Sequence, residues 1–329
     1  MRVTKDIIKA GLVDLGLKNK RVEVHSSLSS FGTVIDGASS VVAALVNVCD
    51  TVIVPTYSYE MYMAKAPQYD RPIQNGLDYS NFDKEQALLG LRLLTRRRGL
   101  RYIKKVLVHA KRLRKERRLL CKSMHKSWTT LGYIQNRVYR RPFDPDFFCN
   151  ESFVNEDIGQ IPETMLTLSG TIRSPHPTVS WAGYGSDAEY YLKLHPPDNP
   201  LLPIRKLYED DGFVVLLGVP LHRCTALHIS EEMVGRRPFI RWVLYSDGTT
   251  RRVRQNGCIG GAPNFELAFA RFGRRARIGL CNAIALPIRK IVDLGARIIR
   301  RSPEITLCSE GKGCEECIDA SKGGPIEKL

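Results

Sequence analysis

Three stretches of this 329-residue chain carry side chains whose types and spacing could do chemistry. The first is Thr171-Ile-Arg-Ser-Pro-His-Pro-Thr-Val-Ser180. A proline on each side of His176 holds the backbone extended and stiff, with Arg173 and Ser174 just before it. A rigid segment bearing a cation, a hydroxyl and an imidazole is a way to preorganise a reaction. The second is His25-Ser-Ser-Leu-Ser-Ser-Phe-Gly32, a small hydroxyl-rich loop. Leading towards a helix, such a loop can offer N–H and O–H groups to a phosphate or a thioester oxygen. The third is Cys224-Thr-Ala-Leu-His-Ile-Ser-Glu-Glu232. Each also has a plain structural reading: a serine-rich turn, a satisfied core histidine, a polar helix start. His25 and His228 are read in that way, as groups that fix their own surroundings.

The elements around these stretches read as an α/β domain. Arg21–Val24 is a short buried strand, Ala38–Cys49 has helical periodicity, and Thr51–Pro55 is β-branched and apolar like a second strand. Strand, loop, helix, strand is an α/β unit. Phe213-Val-Val-Leu-Leu-Gly-Val219 is a buried strand, and the third stretch follows it. Polar groups at the end of a buried strand are where open α/β sheets place their sites. Ile7, Ile8, Leu12 and Leu15 repeat at helical spacing, so the start is a helix rather than a secretory signal. Helices are also expected after Asp157-Ile-Gly-Gln-Ile-Pro-Glu163, running to about Leu168, and over Gly183–Leu194. A hairpin is expected around Ser246-Asp-Gly248. Arg275–Leu280, Ile284–Ile299 and Ile305–Cys308 close the domain.

The charge is uneven. Residues 91–142 hold 18 Lys and Arg against one acid, Glu116, while the rest of the chain holds 32 bases and 33 acids. The net charge of +16 therefore belongs to one local element. Leu100, Ile103, Val106, Leu107, Ala110 and Leu113 share a helical face there, so residues 85–142 read as a basic helical hairpin. It is inserted between the two parts of one domain, 1–84 and 143–329. A solvated face, capture of nucleic acid or another polyanion, and a membrane or partner contact are its open readings.

A hydrophobic content of 43% suits a globular protein, and no apolar run is long enough to span a bilayer. The nine cysteines are an odd number, six of them scattered singly, which points to reduced thiols and a cytoplasmic location. The tail carries Cys308-x₅-Cys314-x₂-Cys317. A structural zinc site needs four ligands, and no histidine lies nearby. Cys258 or Cys281 could complete a set, but the reading taken is ordinary thiols and no metal.

Together, the hydroxyl-rich loop, Arg173-Ser-Pro-His-Pro177 and Thr225-Ala-Leu-His-Ile-Ser-Glu231 resemble, in that order, the motifs of the aminoglycoside 3-N-acetyltransferase family. Val54-Pro-Thr56, Phe143-Asp-Pro145, Ile158-Gly-Gln-Ile-Pro-Glu163 and Leu216-Leu-Gly-Val219 support the match. The resemblance covers nearly the full length outside the insert. It implies a three-layer α/β/α fold with a mixed sheet and acetyl-coenzyme A as cofactor. Ser26, Ser27, Ser29, Ser30, Phe31 and Gly32 look like part of the coenzyme A site, with Arg173 and Ser174 as further contacts. His176 matches the family's catalytic histidine and Glu231 the acid of its Thr-x-x-His-x-x-Glu motif. Thr225, His228 and Glu232 would support the substrate or the site. The chain departs from the family at Cys49-Asp50, where a glycine-rich turn is usual, at Leu166, near which an arginine is usual, and in the long stretch from Thr56 to Phe143.

An acetyl thioester is already activated, so such an enzyme needs no covalent nucleophile. It needs a neutral amine, and a histidine titrating near neutrality can take the ammonium proton. The expected mechanism is direct transfer. His176 is the base, Glu231 orients its imidazole, and the Ser26–Gly32 loop stabilises the oxyanion. The acceptor is expected to be a small amine, aminoglycoside-like or on another amino sugar, or an amino-nucleotide welcomed by the basic insert. The alternative is a polyanion-binding protein that has lost turnover.

Overall fold

The computed structural model of the chain describes residues 2–58, 62–64, 66–76, 142–149, 154, 158–308 and 314–322. Apart from Pro142, the expected basic hairpin over 85–142 lies outside them. The chain opens with β1 (Arg2–Val3), α1 (Lys5–Asp14), β2 (Arg21–Ser26), β3 (Thr33–Val34), α2 (Ala38–Val48) and β4 (Thr51–Pro55). After residue 141 come α3 (Pro145–Phe148), α4 (Gln160–Met165), β5 (Ile172–Arg173), β6 (Trp181–Gly185), α5 (Ala188–Leu192) and α6 (Leu202–Glu209). Then follow β7 (Phe213–Leu217), α7 (Leu227–Met233), β8 (Phe239–Leu244), β9 (Thr250–Gln255) and α8 (Glu266–Phe269). The last elements are β10 (Arg274–Ile278), β11 (Cys281–Pro287), α9 (Ile288–Arg301) and α10 (Glu315–Ser321).

Seven strands form one mixed sheet in the order β10-β11-β7-β2-β4-β6-β5. β2 lies between β7 and β4 and is parallel to both. The outer pairings, β7 with β11, β11 with β10, β4 with β6 and β6 with β5, are antiparallel. Alternation along the strands sorts side chains to two faces. Val22, Val24, Val52, Val54, Val215 and Leu217 pack under α1, α2 and α4. Ile53, Val214 and Leu216 face the opposite way, under α5, α6, α7 and α9. Helices on both faces of a mixed sheet give the expected three layers.

The helices that cover the sheet show why they fold there. α9 buries Ile288, Ile291, Val292, Ala296 and Ile299, one stripe at three- and four-residue spacing, and sets Arg300 and Arg301 in its last turn. Burying each large aliphatic side chain contributes about 1.5–3 kcal/mol. α1 is capped by Thr4, whose hydroxyl accepts from the Ile7 N–H at 3.3 Å. No helix among the described residues is long and apolar enough to cross a membrane.

A second, two-stranded sheet pairs β8 with β9 around the Asp247-Gly248 turn, where Gly248 has φ +85°. Its residues Val243, Tyr245 and Val253 pack with Tyr62, Phe143 and Phe148. Asn75, fully buried, donates from Nδ2 to the Ile240 carbonyl at 2.9 Å and accepts from its N–H at 2.7 Å. One side chain thereby imitates a strand edge.

Two boundaries differ from expectation. Gly183–Leu194 is not one helix: its first three residues complete β6, and only Ala188–Leu192 is helical. Trp181-Ala-Gly-Tyr-Gly185 gains a full ladder against buried β4, and pairing outweighs local periodicity. Likewise Ile284–Ile299 divides at Pro287, which ends β11 and caps α9.

Candidate active site

Because β2, β4 and β7 run parallel, their carboxyl ends share one edge of the sheet, at Ser26, Pro55 and Leu217. The antiparallel neighbours β6 and β11 begin at that edge, where Trp181 pairs with Pro55 and Ala283 with Leu217. The topology therefore brings all three sequence motifs to one side of the domain, the side on which open α/β sheets bind ligands.

Ser26–Gly32 forms a tight turn at this edge. The Ser27 N–H donates to the Leu217 carbonyl at 3.0 Å, and the Ser30 hydroxyl donates to the Ser27 carbonyl at 2.7 Å. The Ser27 and Ser29 hydroxyls are 3.0 Å apart. Phe31 is fully buried in the core and anchors the loop, while Ser29 and Gly32 face solvent. The Ser26 hydroxyl oxygen is buried with no hydrogen-bond partner among the described residues. Ser30 sits against Gly218, whose φ is +66° and where a Cβ would lie 1.9 Å from the Ser30 Oγ. Only glycine fits there. Val219 and Asn282, next to Gly218 and Cys281, line a cleft of about 490 Å³ that also presents Pro220, Phe269, Arg275 and Arg277.

The His176 segment crosses the same edge. Its neighbours are internal. The Arg173 guanidinium donates to the Thr56 carbonyl at 2.8 Å and lies 3.8 Å over the Phe148 ring. The Ser174 hydroxyl accepts from the Trp181 N–H at 2.8 Å and meets His195 Nδ1 at 2.9 Å. His195 Nε2 faces the Pro200 carbonyl at 3.2 Å, so it carries the proton and Nδ1 accepts from Ser174. Both residues expected as cofactor contacts thus serve to hold β5, β6 and His195 together.

His176 is fully buried, its ring 4.6 Å from that of His195. Nδ1 accepts from the Thr178 and Val179 N–H groups at 3.3 and 3.2 Å. Nε2 is buried and makes no hydrogen bond of ordinary geometry among the described residues, although the Pro197 and Arg254 backbone lies close enough to favour a proton on the ring. Burial, and secondarily the charge of His195, holds His176 well below the ordinary histidine range. Burial likewise lowers His195, to about 3.

Glu231 does not reach His176 as its orienting acid. It lies on α7 with His228, and His228 Nδ1 is 2.6 Å from Glu231 Oε2. The other carboxylate oxygen accepts from Arg236 at 2.9 Å. Residues three apart on a helix share a face, which is why this pair forms. Glu232, also half-buried, pairs with Arg205, and burial raises its carboxyl above the usual range. Asn256, just past β9, bonds Glu232, and the Arg254 backbone lies by His176, so the end of β9 runs between the two histidine sites.

Three site residues escape the sequence reading. Glu23, fully buried on the central strand, meets His25 Nε2 at 2.7 Å. They are two apart on β2 and so point to the same face. The other Glu23 oxygen has no hydrogen-bond partner among the described residues. Tyr57 hydrogen-bonds Thr225 Oγ1 at 3.0 Å and sits edge-on to Trp181 at 5.3 Å, tying the end of the His176 segment to the Thr225 stretch. The third is His195. A carboxylate between two valines, Val22 and Val24, of a buried strand was the available signal for Glu23.

Residues 125–300, more than half of the chain, match the sequence model of the aminoglycoside 3-N-acetyltransferases. The chain belongs to this family. Among curated relatives, it is 28% identical over 242 residues to aminoglycoside N(3)-acetyltransferase IX of Micromonospora chalcea. That match covers 71% of this chain and 64% of the relative, so the chain spans somewhat less than two thirds of the relative's length. The fold is that of the solved apoenzyme of aminoglycoside acetyltransferase AAC(3)-IVa, with a TM-score of 0.64 and 22% identity over 98% of both chains. A structure described as AAC-IIIb binary with CoASH aligns with a TM-score of 0.60 and 22% identity, covering 92% of this chain and 98% of that one. In this member of the acetyltransferase family, the loop, the His176 segment and the Thr225–Glu231 helix start all border one carboxyl edge.

Proposed function

We propose that the chain is an acetyl-coenzyme A-dependent N-acetyltransferase that acts on a primary amine of an aminoglycoside-like or other amino-sugar substrate. The observation that carries this reading is the meeting of three family motifs at one sheet edge, where two buried polar atoms, Ser26 Oγ and His176 Nε2, make no hydrogen bond of ordinary geometry among the described residues. Buried polar groups are otherwise paired, so orphans at a shared edge suit a site that a ligand completes.

The same observations fit the cofactor. The Ser26 hydroxyl, without a partner among the described residues, would donate to a thioester oxygen, and Arg275 and Arg277 border the cleft beside the loop, where phosphates would be neutralised. Acetyl-coenzyme A supplies an acetyl group activated as its thioester. This chain supplies position and proton transfer. Cys224, the cysteine closest in sequence to the Thr225 motif, is pushed well above the ordinary thiol range by burial and then by Glu23. It offers no thiolate for a covalent route, which favours direct transfer.

His176 is the proposed base. Burial keeps its ring neutral, and Nε2 is its only nitrogen left to exchange a proton with an amine. With Nδ1 accepting two N–H bonds, the resting proton sits on Nε2, so accepting an amine proton there requires the other tautomer, with the proton on Nδ1 and the Thr178 and Val179 N–H groups turned away from it. A second reading is favoured by one observation. Glu231 accepts the His228 Nδ1 proton, which leaves His228 Nε2 with its lone pair, the arrangement of an oriented base.

Replacing each histidine separately by glutamine and measuring amine-dependent thiol release tests both. Loss of the base lowers kcat about 10²–10⁴-fold. A full-sized loss in His176→Gln alone supports the first reading, and in His228→Gln alone the second. Near wild-type turnover in both variants would remove the histidine base from the mechanism. The polyanion-binding alternative rests on residues 91–142, outside the described residues except for Pro142.

A further inference from the structure

Cys258, Cys308, Cys314 and Cys317 come from separate parts of the sequence, yet their four sulfur atoms all lie within 4.8 Å of one another. Cys258 follows β9, Cys308 follows α9, and Cys314 and Cys317 begin α10. Zinc–thiolate bonds of about 2.3 Å in a tetrahedron put sulfurs roughly 3.8 Å apart, so this grouping is of the right size. The four are free thiols.

The backbone around them is arranged for sulfur. The Gly260 N–H donates to Cys258 Sγ at 3.2 Å, the Cys308 N–H to Cys317 Sγ at 3.4 Å, and the Cys314 N–H to Cys308 Sγ at 3.4 Å. Such N–H bonds stabilise thiolates and orient them towards a metal. Gly260 lets the two loops close. A Cβ there would lie 2.5 Å from the Cys308 Cβ and 3.2 Å from Cys258 Sγ.

We propose that Cys258, Cys308, Cys314 and Cys317 form a structural zinc site that locks α10 onto the loop after β9. Four soft thiolates with tetrahedral spacing select zinc, and a closed set of four leaves no position for catalysis. The mechanical consequence is readable in the contacts of α10. Glu316, next to Cys317, accepts from Arg241 of β8 at 2.9 Å, and Asp319 accepts from the Gly76 N–H at 2.7 Å. The metal therefore fixes the helix that braces the two-stranded sheet.

The test is metal analysis of the full chain purified without chelator, together with cobalt exchange. Zinc stoichiometric with protein, released by a mercurial thiol reagent, is expected, as are the absorption bands of a tetrahedral cobalt tetrathiolate after exchange. Cys258→Ser should hold zinc at least about tenfold more weakly, whereas Cys49→Ser should hold it as the wild type does. Should Cys258→Ser not fold, the cobalt spectrum of the wild type decides. Substoichiometric zinc after zinc-supplemented expression, stoichiometric iron, a spectrum without thiolate-to-cobalt bands, or disulfides between these cysteines in non-reduced peptides would each overturn the assignment. The readouts do not depend on turnover, so their outcome is separate from that of the acetyltransferase reading.

Discussion

Glu231 Oε2 lies 2.6 Å from His228 Nδ1 on the same turn of α7, while His176 Nδ1 is occupied by backbone N–H groups of its own loop. The acid of the Thr-x-x-His-x-x-Glu motif therefore acts on the histidine within its own motif. Glu231→Gln should alter catalysis only through His228. If His228 is the base, the variant lowers kcat by about 10-fold or more and reshapes the acid limb of the pH–rate profile. If His176 is the base, kcat changes little and the loss appears in stability. Steady-state kinetics across pH, alongside a denaturation curve, separates the two.

Gly218→Ala should damage the cofactor side selectively. Its Cβ would enter the space of the Ser30 hydroxyl at a φ of +66°, which costs about 1–2 kcal/mol in backbone strain alone. The hydroxyl loop must shift, so the KM for acetyl-coenzyme A should rise more than the KM for the amine. Equal effects on both would place the loop outside the cofactor site.

The Glu23–His25 pair should be coupled. His25→Phe leaves a fully buried carboxyl group alone on the central strand, and breaking a buried pair in this way costs about 3–5 kcal/mol. The double variant Glu23→Leu with His25→Phe should recover most of that loss. A urea-denaturation double-mutant cycle measures the coupling, and additive single effects would contradict it.

Acid stability follows from His176 and His195. Burial depresses both, His195 to about 3. Above the unfolded value near ~6.5 neither contributes to pH dependence. As pH falls below it, the unfolded chain binds protons that the folded chain refuses. Each histidine then removes up to about 1.4 kcal/mol of stability per pH unit, down to its folded value. Stability measured from pH 7 to 5 should fall, and His195→Gln, which keeps a donor towards Pro200, should flatten the slope.

Much of this was legible in the sequence. The valine and leucine runs of β2, β4 and β7 and the stripe of α2 announce the sheet and its cover. The motifs that follow the strands announce the edge. Pairings across the fold were not. A hydrogen bond between Tyr57 and Thr225, the Ser174–His195 contact and the approach of Cys258 to a tail 50 residues away depend on tertiary packing, which no local pattern encodes. The His228–Glu231 pair is the instructive case: its i,i+3 spacing was visible, but assigning Glu231 to His176 required ignoring the helix they share.

The most direct measurement is release of the coenzyme A thiol from acetyl-coenzyme A by the purified full chain, against a panel of aminoglycosides, amino sugars and amino-nucleotides. The account predicts amine-dependent release, matched mole for mole by an acetylated amine, with amino sugars among the substrates and the rate reduced about 10²–10⁴-fold in the variant lacking the base. No amine-dependent release with any member of the panel, from protein shown to be folded, would contradict it.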